Sequence, residues 1–135
     1  MRCLVLVVED NPVNRELLCE WLEMEGYGVT FAEDLDAAFD TLQSQRPDVV
    51  LLDIQLGAQD GAALATWMRQ QPAFQNVPVI AVTAHAMAVE RQRILSAGCI
   101  ACISKPIDFG LLQRHLDECT AALARSPWSP TPESS

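Results

Sequence analysis

Lysine is almost absent from this chain. Lys105 is the only one in 135 residues; the other eight basic residues are arginines. They are scattered, and the net charge is −9. Nucleic-acid binding draws on clustered cations that neutralise phosphates, so this composition argues against nucleic acid as a partner. It argues equally against a basic patch on a membrane surface. No apolar stretch approaches the ~20 residues of a membrane-spanning helix. Met1 to Val8 is too short for the apolar part of a secretory leader and runs straight into acids. The five cysteines, at 3, 19, 99, 102 and 119, are odd in number, and several lie in apolar runs. They read as buried, reduced thiols in the cytoplasm rather than a disulfide framework. A chain of this length makes one domain, which buries roughly two thirds of its unfolded surface.

What is there is an alternation of short apolar runs with helical patterns. Leu4 to Val8 is continuous and β-branched, as a strand covered on both faces should be. A helix over about Pro12–Glu25 follows, with Asn11 as N-cap and Pro12 in the first turn. Val13, Leu17, Trp21 and Met24 form one stripe, with Leu18 and Leu22 beside it, and Gly26 stops the helix. Tyr27 to Phe31 reads as the second strand. A second helix spans about Leu35–Ser44, with Leu35, Ala38, Phe39 and Leu42 inward. The third strand is Val49 to Asp53. A loop with Gly57 and Gly61 leads to a helix facing the core through Leu64, Trp67 and Met68. The fourth strand is Val79 to Thr83. A helix of weak apolar stripe covers about Met87–Ala97 and ends at Gly98. The fifth strand is Ile100 to Ile103. The last helix, about Asp108–Ala124, repeats Leu112, Leu116, Cys119 and Leu123. The pattern is α/β, a (βα)5 doubly wound five-stranded parallel sheet, expected order 2-1-3-4-5. Residues 1–125 form the domain; the Ser- and Pro-rich segment 126–135 is expected to be a disordered tail.

Four of the five apolar runs deliver polar groups at their ends. The first leads to Glu9 and Asp10, the third to Asp53, the fourth to Thr83, the fifth to Ser104, Lys105 and Pro106. Open parallel sheets bind ligands outside their carboxyl edge. Crowded carboxylates need a positive charge among them, which Mg²⁺ and Lys105 supply. A carboxylate can act as nucleophile and form an aspartyl phosphate, and Asp53, ending the central strand, is the candidate. Thr83 would donate to a phosphoryl oxygen. A single strand-end acid is usually a cap or a solvated loop residue; the set of five reverses that reading. Cys99 and Cys102 make a C-x-x-C. On a strand, positions three apart point to opposite faces, and no second ligand pair exists, so the spacing reads as coincidence. His85, two residues after Thr83, reads either as a neighbour of the expected pocket or as a surface loop residue. His115 is assigned to the outer face of the last helix. Trp21, Trp67 and Met24 are assigned to the core.

The stretches VVEDNPVNRELL (7–18), PDVVLLDIQLGAQDG (47–61), VPVIAVTAHAM (77–87) and AGCIACISKPI (97–107) resemble the receiver domains of bacterial two-component response regulators. The resemblance covers nearly all of residues 3–124. Its forms are most similar to receivers of hybrid sensor kinases and stand-alone regulators of the DivK type. The resemblance implies Mg²⁺ held by Asp10, Asp53, the backbone carbonyl of Gln55 and Glu9, with Asp10 ahead of Glu9 as direct ligand. It implies Asp53 as phosphoacceptor, Thr83 as phosphate-sensing hydroxyl, Lys105 as the family's lysine and a cis Lys105–Pro106 peptide. It implies a histidine kinase or histidine phosphotransfer protein as donor. A downstream protein would read the face of helix 4, strand 5 and helix 5. The chain departs from the pattern at Cys102, where the family's switch residue is aromatic, and at Gly57 and Gln59 in the loop after Asp53.

Two other functions fit parts of the pattern. A small aspartyl-phosphate phosphatase would need a second acid two residues after the nucleophile, where this chain has Gln55. A receiver that binds partners without phosphorylation is compatible with Cys102.

Overall fold

The computed structural model describes residues 3–124. The main sheet has β1 (Leu4–Val8), β2 (Gly28–Ala32), β3 (Val49–Asp53), β6 (Val79–Thr83) and β7 (Ala101–Ser104). All neighbours are parallel, in the order β2-β1-β3-β6-β7. This is the expected 2-1-3-4-5 order with one addition. The loop after Asp53 folds as a two-stranded antiparallel ladder, β4 (Gln55–Leu56) and β5 (Gln59–Asp60), turning at Gly57, whose φ is +59°. The helices are α1 (Pro12–Met24), α2 (Leu35–Ser44), α3 (Ala62–Arg69), α4 (Ala88–Ser96) and α5 (Phe109–Ala124).

Alternation along the strands sorts the side chains into two cores. Leu6, Val8, Val50, Leu52, Val79 and Ala81 pack against α2, α3 and α4 through Leu42, Leu64, Met68 and Ile94. Val5, Val7, Val49, Leu51, Ile80 and Ile103 pack against α1 and α5 through Leu18, Leu22, Leu112 and Leu116. Both faces of the sheet are thus covered, which is why β1, β3 and β6 are continuous apolar runs up to their last residues. Among the described residues no helix is long and apolar enough to cross a membrane.

Several expectations need correction. On α1, Val13 is 71% exposed, Leu17 54% and Met24 83%; the core takes Leu18 and Leu22 instead. The helix carries two adjacent apolar stripes, and it packs on the sheet through the second. Trp21 is half-buried, its ring 5.0 Å from that of Phe109. Trp67 packs at the edge of the core, 5.0 Å from Phe39. β2 and β7 each start one residue later than expected, and Ile100 is exposed. Cys99 and Cys102 do not face opposite sides: both are buried in the same core. Cys99 precedes β7, so strand alternation does not govern it. All five cysteines are free; Cys99, Cys102 and Cys119 are buried, while Cys3 and Cys19 are half-buried. His115 is also half-buried, with Glu118 3.7 Å away on the same helix. The side chain of Leu123 and the segment 126–135 lie outside the described residues.

Candidate phosphoryl-transfer site

Register brings the distant groups together. Val8 is aligned with Leu52 across β1 and β3, so Glu9 and Asp53 are the next residues along adjacent strands. Asp53 is aligned with Val82, and Thr83 with Ser104. Lys105 donates its backbone N–H to the Thr83 carbonyl at 2.8 Å. Acid, hydroxyl and ammonium therefore emerge at one edge of the sheet. The Lys105–Pro106 peptide is cis, as the resemblance implied.

Asp53 is buried, with 2% of its surface exposed. Its Oδ1 accepts the Gln55 N–H at 3.0 Å and its Oδ2 accepts from Lys105 Nζ at 2.9 Å. Glu9 is equally buried; its Oε1 lies 3.8 Å from Lys105 Nζ and its Oε2 accepts the Asn11 N–H at 3.1 Å. Arg15 Nη1 donates to the Glu9 carbonyl at 3.1 Å. Asp10 is exposed at the mouth of the cluster. Asn11 caps α1, its Oδ1 accepting from the N–H groups of Val13 and Asn14, which leaves Asp10 free of that duty.

The electrostatics follow from the crowding. Burial, reinforced by the Asp53 carboxylate, pushes Glu9 up to about 7 against the pull of the Asn11 N–H and Lys105. Burial lowers the Lys105 ammonium, but its hydrogen bond to Asp53 and the charges of Asp53, Glu9 and Asp10 outweigh that and raise it. Glu9, Asp10 and Asp53 each present a carboxylate oxygen, and these lie within 4.8 Å of one another. A hard, oxygen-seeking cation such as Mg²⁺, which takes carboxylates together with water, fits this donor set, whose Asp10 is exposed to solvent.

Thr83 is fully buried. Its hydroxyl accepts the His85 N–H at 3.0 Å, while the His85 side chain is exposed. Two groups escaped the sequence reading. The resemblance implies a role only for the Gln55 backbone carbonyl, yet its side chain reaches Thr83: Nε2 donates to Thr83 Oγ1 at 3.0 Å, and Oε1 accepts the Ala84 N–H at 3.2 Å. The Ala84 N–H is itself a donor at the strand end. Cys102, at the family's aromatic position, is a core thiol raised by burial, and its carbonyl accepts from Arg91 Nη1 of α4 at 3.1 Å.

The chain matches the response regulator receiver domain over residues 5–117. It is 40% identical over 103 residues to the polar-differentiation response regulator DivK of Brucella anthropi, covering 76% of this chain and 84% of that one. A receiver domain of a sensor histidine kinase from Pseudomonas aeruginosa superposes with a TM-score of 0.81 at 35% identity, covering 90% of this chain and 99% of that one. That structure carries a magnesium ion coordinated in the active-site cleft. A receiver domain of a histidine kinase from Syntrophus aciditrophicus superposes with a TM-score of 0.83 at 30% identity, covering 93% and 95% of the two chains.

Proposed function

The chain belongs to the response regulator receiver domain family of two-component signalling, and from that membership we propose that Asp53 is its phosphoacceptor. The observation that carries this reading is the Lys105 ammonium 2.9 Å from Asp53, inside a cluster of three carboxylates. A phosphohistidine on a histidine kinase or phosphotransfer protein is the donor. An Asp53 oxygen attacks phosphorus, the P–N bond breaks as the P–O bond forms, and the leaving imidazole nitrogen takes a proton. Transfer of this kind is mostly positioning and charge neutralisation. Lys105 holds the acceptor and neutralises the incoming oxygens. Thr83 and the Ala84 N–H are the neutral donors for the third side of the phosphoryl group. Asp10 and Asp53, with Glu9 and the Gln55 carbonyl, would hold Mg²⁺, which supplies charge neutralisation at phosphoryl oxygens.

The donor would approach over the first turns of α1, which begin just past Asp10 and leave Val13 and Leu17 exposed. A downstream protein would use the face of α4, β7 and α5, where Met87, Val89, Leu95 and Ile100 are exposed. Large exposed apolar side chains in one region are commonly interaction sites.

Incubation with acetyl phosphate and Mg²⁺, read by intact mass, tests the assignment. One phosphoryl adduct is expected in the parent and none in Asp53→Asn. An adduct surviving in the variant would overturn it. No adduct in the parent would favour a partner-binding module that works unmodified.

A further inference from the structure

The phosphoryl pocket is closed from within by a side chain of its own loop. Thr83 Oγ1 accepts from Gln55 Nε2 and from the His85 N–H, and its own hydrogen is directed to the His85 carbonyl at a long 3.4 Å. A hydroxyl has one proton and two lone pairs, so all three are spoken for. The Ala84 N–H is held by Gln55 Oε1. A phosphoryl oxygen on Asp53 would need that hydroxyl proton and that N–H. A charged oxygen makes hydrogen bonds roughly twice as strong as a neutral amide oxygen does, so it displaces Oε1.

Gln55 is also the first residue of the β4–β5 ladder, and its cross-strand partner is Asp60. Asp60 Oδ1 accepts the Ala62 N–H at the start of α3 at 3.0 Å. Its Oδ2 takes Arg93 Nη1 of α4 at 2.8 Å. Arg93 is held in turn by Glu90, one turn back on α4. The only buried side chain of α4 is Ile94, so this helix is lightly anchored. A two-residue ladder is marginal by itself and keeps its place through such side-chain ties.

We propose that Gln55 and Arg93 make the β4–β5 hairpin a latch between the phosphoryl site and α4. With Asp53 unmodified, Gln55 ties the hairpin to Thr83 and Ala84, and Asp60 holds Arg93 and α4. Phosphorylation expels Gln55, the hairpin shifts, and α4 is released. The device transmits the state without the aromatic that Cys102 replaces, and it biases one two-state element from the modified site. It rests on Asp53 being the phosphoacceptor.

Hydrogen exchange over residues 88–96, with intact mass to count the adduct, tests it in the parent, Gln55→Ala and Arg93→Gln. Phosphorylated parent should exchange roughly two- to fivefold faster over α4 than unmodified parent, the factor that loss of an exposed ion pair gives. Unmodified Gln55→Ala and Arg93→Gln should already show that faster exchange, with β1 and β3 protected as in the parent. An adduct on the parent with α4 exchange unchanged overturns the latch and leaves the phosphoacceptor assignment standing. Unmodified Gln55→Ala exchanging like the parent also overturns the latch. Absence of any adduct on the parent overturns both.

Discussion

Lys105 Nζ stands 2.9 Å from Asp53 Oδ2 and 3.8 Å from Glu9 Oε1, so one ammonium serves carboxylates from two adjacent strands. Removing it leaves both acids buried without a cation. Lys105→Met should slow adduct formation from acetyl phosphate by roughly 10²-fold, the loss typical of a preorganised charge stabiliser. Quenched intact-mass time courses measure this; an unchanged rate would remove Lys105 from the chemistry.

The raised Glu9 carboxyl gives a pH signature in EDTA. Burial makes the folded state hold that proton more tightly than the unfolded state does. Between 4.5 and about 7 the unfolded chain therefore binds fewer protons, and stability falls as pH rises through this window. The change is on the order of 1–2 kcal/mol, discounted because the cluster opens to water at Asp10. Urea midpoints of the parent and Glu9→Gln against pH check it. The variant should lose the slope, and Mg²⁺ should flatten it in the parent.

Gly61 stands where a side chain has no room. A Cβ there would lie 2.3 Å from the Asp53 carbonyl oxygen, which belongs to the backbone of the proposed phosphoacceptor. Gly61→Ala should shift that backbone and destabilise the fold by about 1–3 kcal/mol. Urea denaturation measures the loss, and the rate of adduct formation should fall with it. A midpoint equal to the parent's would show that the loop yields at no expense.

The proposed docking of the donor over the exposed start of α1 makes docking separable from chemistry. Val13→Ala with Leu17→Ala should weaken phosphoryl transfer from a protein donor by about tenfold, as truncating interface anchors does. The rate with acetyl phosphate should stay at the parent's value, because that donor needs no surface. Equal loss with both donors would place the two residues in the site rather than beside it.

Continuous apolar runs made β3 and β6 readable to the residue, and helical spacing did the same for α2. Strand-end positions were equally plain, because each acid, hydroxyl or ammonium lies within two residues of the end of an apolar run. β2 begins one residue later than its apolar run predicts, since Tyr27 is buried but precedes the segment that pairs with β1, where Leu4 aligns with Gly28. The Cys99–Cys102 geometry failed for a related reason: the backbone leaves the strand between them.

The sequence by itself determined the order of elements and the five chemical groups, since both depend on local run lengths and residue types. Tertiary structure alone decided which stripe of α1 faces the sheet. Val13, Leu17 and Met24 are as apolar as Leu18 and Leu22, so only packing against the sheet distinguishes them. It alone also placed the Gln55 amide on Thr83 and Ala84 and set Arg93 against Asp60. Those ties join residues roughly thirty positions apart through the reach of flexible side chains. Short-range periodicity carries no information about such contacts; they exist only once β3, β6 and α4 stand side by side.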